Sequence, residues 1–346
     1  MKIRTGFIGI GVMGLSHLKA MHLDNGHNTE AVAICGSNPD HIKRALEIAP
    51  KAQVFQNAEE LICSDLDAIF VSTPNFTHVS LALEVLRAGK HLFLEKPVGI
   101  TPREARKLLR AVEKSDRIAM VGHEFRYSAF FQKMKDLVAA GEIGQPRMVW
   151  CKEFRGPLQK KSRDWIEDER LSGGGLVNKN CHHFDLMNWW VGARPKKVSA
   201  FGGNAVNRVI EGQHQVLDHA TVSFEYENGV LGTHQLCMFA LDFPKEDLEM
   251  GIIGDKGMLV TRISQIQILQ WKRGAHQIDP IVHVVQARRG EGWGGHLGFS
   301  EIHEEFVKCI QENRQPLTSV KNCIDGTLLA IAAEQAIRKG KIVGIK

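Results

Sequence analysis

The sequence lacks any cysteine pattern that could staple it. Its seven cysteines, Cys35, Cys63, Cys151, Cys181, Cys237, Cys309 and Cys323, are odd in number, and none forms a C-x-x-C pair. This reads as reduced thiols in a cytoplasmic protein. No apolar stretch approaches the ~18 residues of a membrane span, and the first residues carry no basic segment leading into an apolar run and cleavage site. No membrane partner is expected. Basic residues number 44 against 39 acidic. They are interspersed, with no basic block and no basic stripe carrying aromatics, so no nucleic-acid partner is expected either. There is no G-x-S-x-G elbow for a Ser-His-Asp hydrolase. The densest set of soft ligands, Cys181-His182-His183, has no second cluster at zinc-like spacing, so no metal is expected. Internal repeats and low-complexity segments are absent.

What is present is an ordinary globular chain of 346 residues, 43% hydrophobic and 24% charged. That length points to two domains with substantial cores. The chain is organised around Ile3-Arg4-Thr5-Gly6-Phe7-Ile8-Gly9-Ile10-Gly11-Val12-Met13-Gly14, a strand, a glycine turn and the start of a helix. Gly9, Gly11 and Gly14 fit the G-x-G-x-x-G dinucleotide fingerprint. Gly9 permits the tight turn, Gly11 lets backbone approach a pyrophosphate, and Gly14 lets the helix pack on the strand. The helix start, with Val12 and Met13, offers N–H groups to phosphate.

The next apolar run, Glu30 to Cys35, is a second strand. A carboxylate at its end would hold the adenine ribose and favour NAD. Here the strand runs into Gly36-Ser37-Asn38-Pro39, with His41, Lys43 and Arg44 nearby. Ser37 and Asn38 can bond a ribose or a 2′-phosphate, so the cofactor is read as NAD(P), with a slight lean to NADP. Further strands are expected at Gln53 to Phe55, Asp67 to Ser72, His91 to Glu95 and Ile118 to Val121. Between them lie a helix from Phe76 to Ala88, closed by Gly89, and one capped by Thr101, Pro102 and Glu104. This alternation predicts a doubly wound parallel sheet over residues 1–122, an α/β Rossmann domain. Ligands in such sheets bind at the carboxyl ends of strands. Those ends are Gly9 to Gly14, Gly36 to Asn38, Thr73-Pro74-Asn75 and Glu95-Lys96-Pro97.

After Gly122 the pattern changes. A helix is expected from Ser128 to Ala140 and another around Asp185 to Trp190. Strands are expected at Pro146 to Phe154, Lys197 to Gly202, Ala220 to Tyr226, Val230 to Phe239, Leu248 to Ile253, Met258 to Thr261 and Ile266 to Trp271. Two closing helices are expected, Ser300 to Glu312 and Cys323 to Lys339. Residues 123–346 therefore read as an α+β substrate-binding domain with a large, mostly antiparallel, open-faced sheet. Such a sheet needs cover on both faces, which predicts a homodimer or homotetramer formed through it.

Two residues carry chemistry on their own terms. Lys96 stands at a strand end beside the expected nicotinamide, where an ammonium can bond a hydroxyl and stabilise a developing alkoxide. His182 follows Gly173-Gly174-Gly175 and opens a helix. An imidazole with an ordinary pKa of about 6.5 suits proton exchange with a hydroxyl.

Gly9-Ile10-Gly11-Val12-Met13-Gly14, Ser72-Thr73-Pro74-Asn75-Phe76-Thr77-His78 and Glu95-Lys96-Pro97 resemble, in order and spacing, the Gfo/Idh/MocA family of glucose–fructose oxidoreductases and inositol dehydrogenases. The Ser172 to Leu186 segment resembles that family's glycine-rich stretch with its histidine. The resemblance spans essentially the whole chain. It implies an NAD(P)-dependent oxidoreductase acting on a sugar, inositol or related polyol. It places Thr73, Pro74, Asn75, His78, Glu95 and Lys96 at the cofactor, and makes Lys96 and His182 catalytic. Many relatives have an Asp four residues before this histidine; here it is Asn178, which can hydrogen-bond but not stabilise an imidazolium by charge. Lys179 follows it and adds a positive charge. Arg126, Arg155, Arg163, Trp165, Lys179 and His182 are candidates for the substrate, with the Trp293 to His296 loop as a further one. Two alternatives remain: a redox-neutral NAD-dependent glycosidase, and a non-catalytic NAD(P)-binding sensor.

Overall fold

The computed structural model describes residues 2–26, 28–157, 162–207, 216–242, 246–276, 278–286 and 296–345, with the side chains of Ser162 and Arg163 excluded. The chain forms two compact units. One is Met1–Tyr127 with Arg288–Ile324, and the other is Ser128–Ala287 with Asp325–Lys346.

The first unit is built on six parallel strands, β1 (Ile3–Ile8), β2 (Thr29–Cys35), β3 (Gln53–Phe55), β4 (Ala68–Val71), β5 (His91–Leu94) and β6 (Ala119–Val121), in the order β3-β2-β1-β4-β5-β6. β4 is buried at every position, as expected of a strand covered on both faces. Its helices are α1 (Val12–Lys19), α2 (Pro39–Ile48), α3 (Ala58–Cys63), α4 (His78–Arg87) and α5 (Pro102–Val112). The cap of α5 is the expected one. The Thr101 hydroxyl accepts from the Glu104 N–H at 3.2 Å, and the Glu104 carboxylate accepts from the Thr101 N–H at 3.1 Å. The chain before α4 instead forms a short 3-10 turn at Asn75–Thr77.

The second unit begins with α6 (Ala129–Ala139), capped by the Ser128 hydroxyl. It then forms β7 (Pro146–Arg155), α7 (Glu169–Ser172), α8 (Cys181–Val191), β8 (Pro195–Gly203), β9 (His219–Tyr226), β10 (Leu231–Cys237), β11 (Glu246–Gly254), β12 (Gly257–Arg262), β13 (Gln267–Lys272) and β14 (Ile281–Val284). The remaining elements are α9 (Phe299–Glu312), α10 (Val320–Lys339) and β15 (Val343–Gly344). The nine strands β7–β15 form one sheet, antiparallel throughout except for the central β7/β10 pair. Burial alternates along β9 and β10, so one face is packed and the other open. Phe201, Leu231 and Val284 are exposed at 78%, 50% and 72%. β14 and β15 were not among the expected strands; their four and two residues are too short to show a period.

The sequence reading groups residues 299–324 with the second domain, but they pack in the first. Ile302, Phe306 and Val307 of α9 join Phe7, Phe70 and Phe93 on one face of the parallel sheet. Val320 and Cys323 join the α3, α4 and α5 side chains on the other face. The apolar face of α9 looks the same in sequence whichever sheet it covers, so hydrophobic periodicity could not assign it. Among the described residues, no helix is long and apolar enough to cross a membrane.

Candidate active site

In the first unit β1 lies between β2 and β4, so the chain reverses its direction of winding at β1. The crevice at such a switch point is where doubly wound sheets take ligands. The three glycines play different parts there. Gly9 has φ +92°, and a Cβ on it would meet the backbone of Ser72 and Thr73 at 2.7–2.8 Å. A Cβ on Gly14 would stand 1.9 Å from the Gly9 carbonyl oxygen. A Cβ on Gly11 would meet nothing within 4 Å. Gly9 and Gly14 thus let the strand, turn and helix close on one another, whereas at Gly11 no atom of the described residues comes within 4 Å of a Cβ. Gly11 is also the N-cap of α1 and offers no side-chain cap, so the first-turn N–H groups around Val12, Met13 and Gly14 suit an outside acceptor. A dinucleotide pyrophosphate fits this cradle.

The neighbouring strand ends complete the rim. Ser37 is exposed. The Asn38 side-chain oxygen caps α2, accepting from Asp40 N–H at 2.9 Å and His41 N–H at 3.3 Å, which leaves its amide nitrogen for a ribose. After β4, the Thr77 hydroxyl bonds the Thr73 hydroxyl at 2.6 Å and the Pro74 carbonyl at 2.7 Å, so Thr73-Pro74-Asn75 is a fixed turn. His78 sits beneath it, 1% exposed. Its Nδ1 is 3.0 Å from the Pro97 carbonyl and its Nε2 2.9 Å from the Thr73 carbonyl. Burial lowers its pKa. His78, read from sequence as a cofactor contact, therefore ties the β4 loop to the β5 loop from inside.

Glu95 and Lys96 follow β5. Glu95 is buried and Lys96 half-buried. The Glu95 carboxylate accepts from the Lys96 backbone N–H at 3.2 Å and lies 2.8 Å from His17 Nε2. Burial pushes its carboxyl up, but the hydrogen bond and charge of His17, with Lys96 and His78, outweigh this and hold it below the ordinary value. Sequence reading did not single out His17 or its partner His303. A histidine three residues after Gly14 on an apolar helix face was the available signal. Arg126, expected at the substrate, is 4% exposed and donates through Nη2 to the Asn322 carbonyl at 3.0 Å.

In the second unit, Leu176–Asn180 is a single π turn that runs directly into α8. Such turns recur at functional sites. Asn178 lies in it at 9% exposure, and His182 is the second residue of α8 at 6%. The adjacent His183 is 2% exposed. Its ring stacks on His234 at 5.9 Å and its Nδ1 is 3.5 Å from Glu153 Oε2, and burial lowers its pKa well below the ordinary value.

Arg155 and Lys179, both expected to meet substrate, are engaged by a buried carboxylate. Glu153 is 0% exposed and lies 3.2 Å from Lys179 Nζ and 3.3 Å from Arg155 Nη1. Burial opposes its ionisation, but the charge of Lys179 foremost, with that of Arg155, holds the carboxyl below its usual range. Glu246 adds a second carboxylate, 3.6 Å from Lys179. The two cations neutralise the two carboxylates, so this cluster is an internal charge network. The buried Glu153 on a strand otherwise alternating with apolar positions was the sequence signal for it. Trp165 is half-buried in the 3-10 turn Ser162–Glu167. The Arg163 side chain and the Trp293 to Gly295 stretch lie outside the described residues, whereas His296 stacks on Phe125 and bonds Glu124 at 2.5 Å.

The triple glycine before His182 rests on Glu334 of α10. Glu334 accepts from the Leu176 N–H at 2.9 Å, and a Cβ on Gly174, whose φ is +105°, would stand 2.3 Å from its carboxylate. Burial pushes its carboxyl up to about 7. A carboxyl whose folded pKa is raised binds its proton better in the native state, so stability falls as pH rises from the unfolded value of 4.5 through about 7. The full loss is about 3 kcal/mol. Urea unfolding of Glu334→Gln between pH 5 and 8 is expected to lack that decline, while the parent protein shows it. Parallel curves for the two proteins would refute this.

Two family models match the chain. One, described as an oxidoreductase family with an NAD-binding Rossmann fold, covers residues 3–123. The other, the GFO/IDH/MocA C-terminal domain, covers residues 131–260. An uncharacterized oxidoreductase YrbE of Bacillus subtilis is 29% identical, over 100% of this chain and 97% of its own. A myo-inositol 2-dehydrogenase of Thermotoga maritima is 28% identical, over 99% of each. The solved levoglucosan dehydrogenase in complex with NADH superposes with a TM-score of 0.86 at 20% identity, over 100% of both chains.

Proposed function

This chain belongs to the Gfo/Idh/MocA oxidoreductases, and from that premise we propose that it is an NAD(P)-dependent dehydrogenase or reductase acting on a secondary hydroxyl of a sugar, inositol or related polyol. The observation that carries the reading is the cradle at Gly11, where no atom of the described residues comes within 4 Å of a Cβ, on the same sheet edge as Glu95-Lys96. The inositol dehydrogenase among the relatives supports the substrate class.

In this reading Gly9 to Gly14 hold the pyrophosphate, Ser37 and the Asn38 amide the adenine ribose, and Thr73 to Asn75 the rim toward the nicotinamide. A bound nicotinamide supplies the acceptor or donor of a hydride. Lys96 Nζ donates to the reacting oxygen and stabilises its negative charge as the hydride leaves carbon. A ring nitrogen of His182 takes the hydroxyl proton, or returns it in the reduction. Asn178 orients by hydrogen bonding without supplying charge. The protein is read as cytoplasmic and as a homodimer or homotetramer. The exposed Phe201, Leu231 and Val284 of the nine-stranded sheet support an oligomer contact there.

Fluorescence titration with NADH and NADPH tests the cofactor assignment. With no carboxylate after β2, NADPH is expected to bind at least as tightly as NADH. Ser37→Asp is expected to weaken NADPH by about tenfold or more through one like-charge contact with the 2′-phosphate. A parent preference for NADH would sink the NADP lean. A polyol and sugar panel with the preferred nucleotide then tests the reaction; binding without turnover, or hydrolysed sugar without accumulated reduced nucleotide, would replace it.

A further inference from the structure

Behind Lys96 the first unit contains a continuous chain of buried polar groups. His303 Nδ1 lies 2.6 Å from the Phe299 carbonyl, His303 Nε2 lies 2.8 Å from His17 Nδ1, and His17 Nε2 lies 2.8 Å from Glu95 Oε1. Glu95 Oε2 accepts from the Lys96 N–H at 3.2 Å. His17 and His303 are 1% and 0% exposed. Their rings sit among Phe70, Phe93 and Phe299, with His303 stacked on Phe93 at 5.5 Å and 9°.

The carbonyl at one end sets the direction of every bond. A carbonyl only accepts, so His303 Nδ1 carries a proton. Burial among aromatic rings drives His303 neutral, to a pKa of about 3, so its Nε2 is a bare acceptor. His17 Nδ1 must then be the donor to it. One further proton lies between His17 Nε2 and Glu95 Oε1. The groups facing Glu95, namely His17, Lys96 and His78, together favour its carboxylate. Glu95 is thereby held as a carboxylate facing His17 Nε2.

We propose that His17 and His303 are positioning residues for Lys96, their one-directional hydrogen-bond chain fixing the Glu95 carboxylate that anchors the Lys96 backbone. The chain ends on a helix carbonyl, so it transmits position and charge state rather than protons. Without the His303 acceptor, the buried His17 Nδ1–H would lose its hydrogen bond. This inference rests on the reading of Lys96 as the group that meets the reacting oxygen.

His303→Phe keeps the aromatic packing and removes the acceptor. Its kcat is expected to fall about tenfold, the worth of one charge-assisted hydrogen bond, with dinucleotide Kd unchanged and the pH profile of kcat displaced. His303→Gln, whose side-chain oxygen can accept from His17, is expected to restore kcat and profile. Histidine ¹⁵N spectra of the unmodified protein give a reading independent of activity and of variant folding: His303 as the Nδ1–H tautomer, with a proton on His17 Nδ1. An Nε2–H tautomer at His303, or a bare Nδ1 at His17, would overturn the proposal, as would a His303→Phe enzyme with parental kcat and pH profile while Lys96 variants are impaired. If instead Lys96→Met turns over normally, the reading of the site has failed, and the ¹⁵N spectra still decide the hydrogen-bond chain.

Discussion

Lys96→Met is expected to lower kcat by about 10³-fold, the order found when one preorganised donor to a developing oxyanion is removed. Methionine keeps much of the side-chain length and its packing while deleting the charge. Lys96 follows β5, whereas the glycine cradle follows β1, with β4 between the two strands. With the cradle and Lys96 on separate strand ends, dinucleotide Kd is expected to stay within about threefold, under 1 kcal/mol. Single-turnover kinetics at saturating nucleotide make the measurement. A rate within twofold of the parent would remove Lys96 from the reaction. A proportional loss of nucleotide affinity would make it a cofactor contact.

The second large effect separates two glycines that the fingerprint treats alike. Gly11→Val is expected to weaken the dinucleotide by about 100-fold through loss of the phosphate approach and its hydrogen bonds. The fold should survive. Gly11 has φ −92°, an ordinary value, its Cβ would meet no atom of the described residues within 4 Å, and a poorer N-cap costs at most about 1 kcal/mol. Gly14→Ala is expected to do the reverse. Its Cβ would stand 1.9 Å from the Gly9 carbonyl oxygen, so the helix must move off the strand, costing about 1–3 kcal/mol or more. Thermal unfolding and nucleotide titration of the two variants provide the comparison. Equal destabilisation by both would mean that the space at Gly11 belongs to the fold and not to a ligand.

The legible parts of the molecule were those written within one turn or one strand. The α5 cap could be read because Thr101, Pro102 and Glu104 interact across three residues. The parallel sheet could be read because its short apolar strands alternate with helices, and Gly89 closes α4 with φ +69°, a conformation glycine adopts at no steric cost. The glycine turn was legible for the same reason. The ion pairs of Arg155 and Lys179 were not legible because a cation in sequence does not reveal its carboxylate. Glu153 and Glu246 claim both, and Glu246 lies on another strand.

By itself the sequence determined the strand-turn-helix that begins the first unit, the order of its strands and helices, the change to a meandering sheet after residue 122, and the residue types at the strand ends. These follow from local periodicity, capping and backbone freedom, which act over a few residues. Only the tertiary structure decided that α9 covers the parallel sheet and that His17 meets His303, which lies 286 residues away. It also decided that Glu334 supports the glycine segment before His182. In each case a buried polar or apolar group must find a partner, and chain distance does not enter the energy of that contact once the fold has brought the two together.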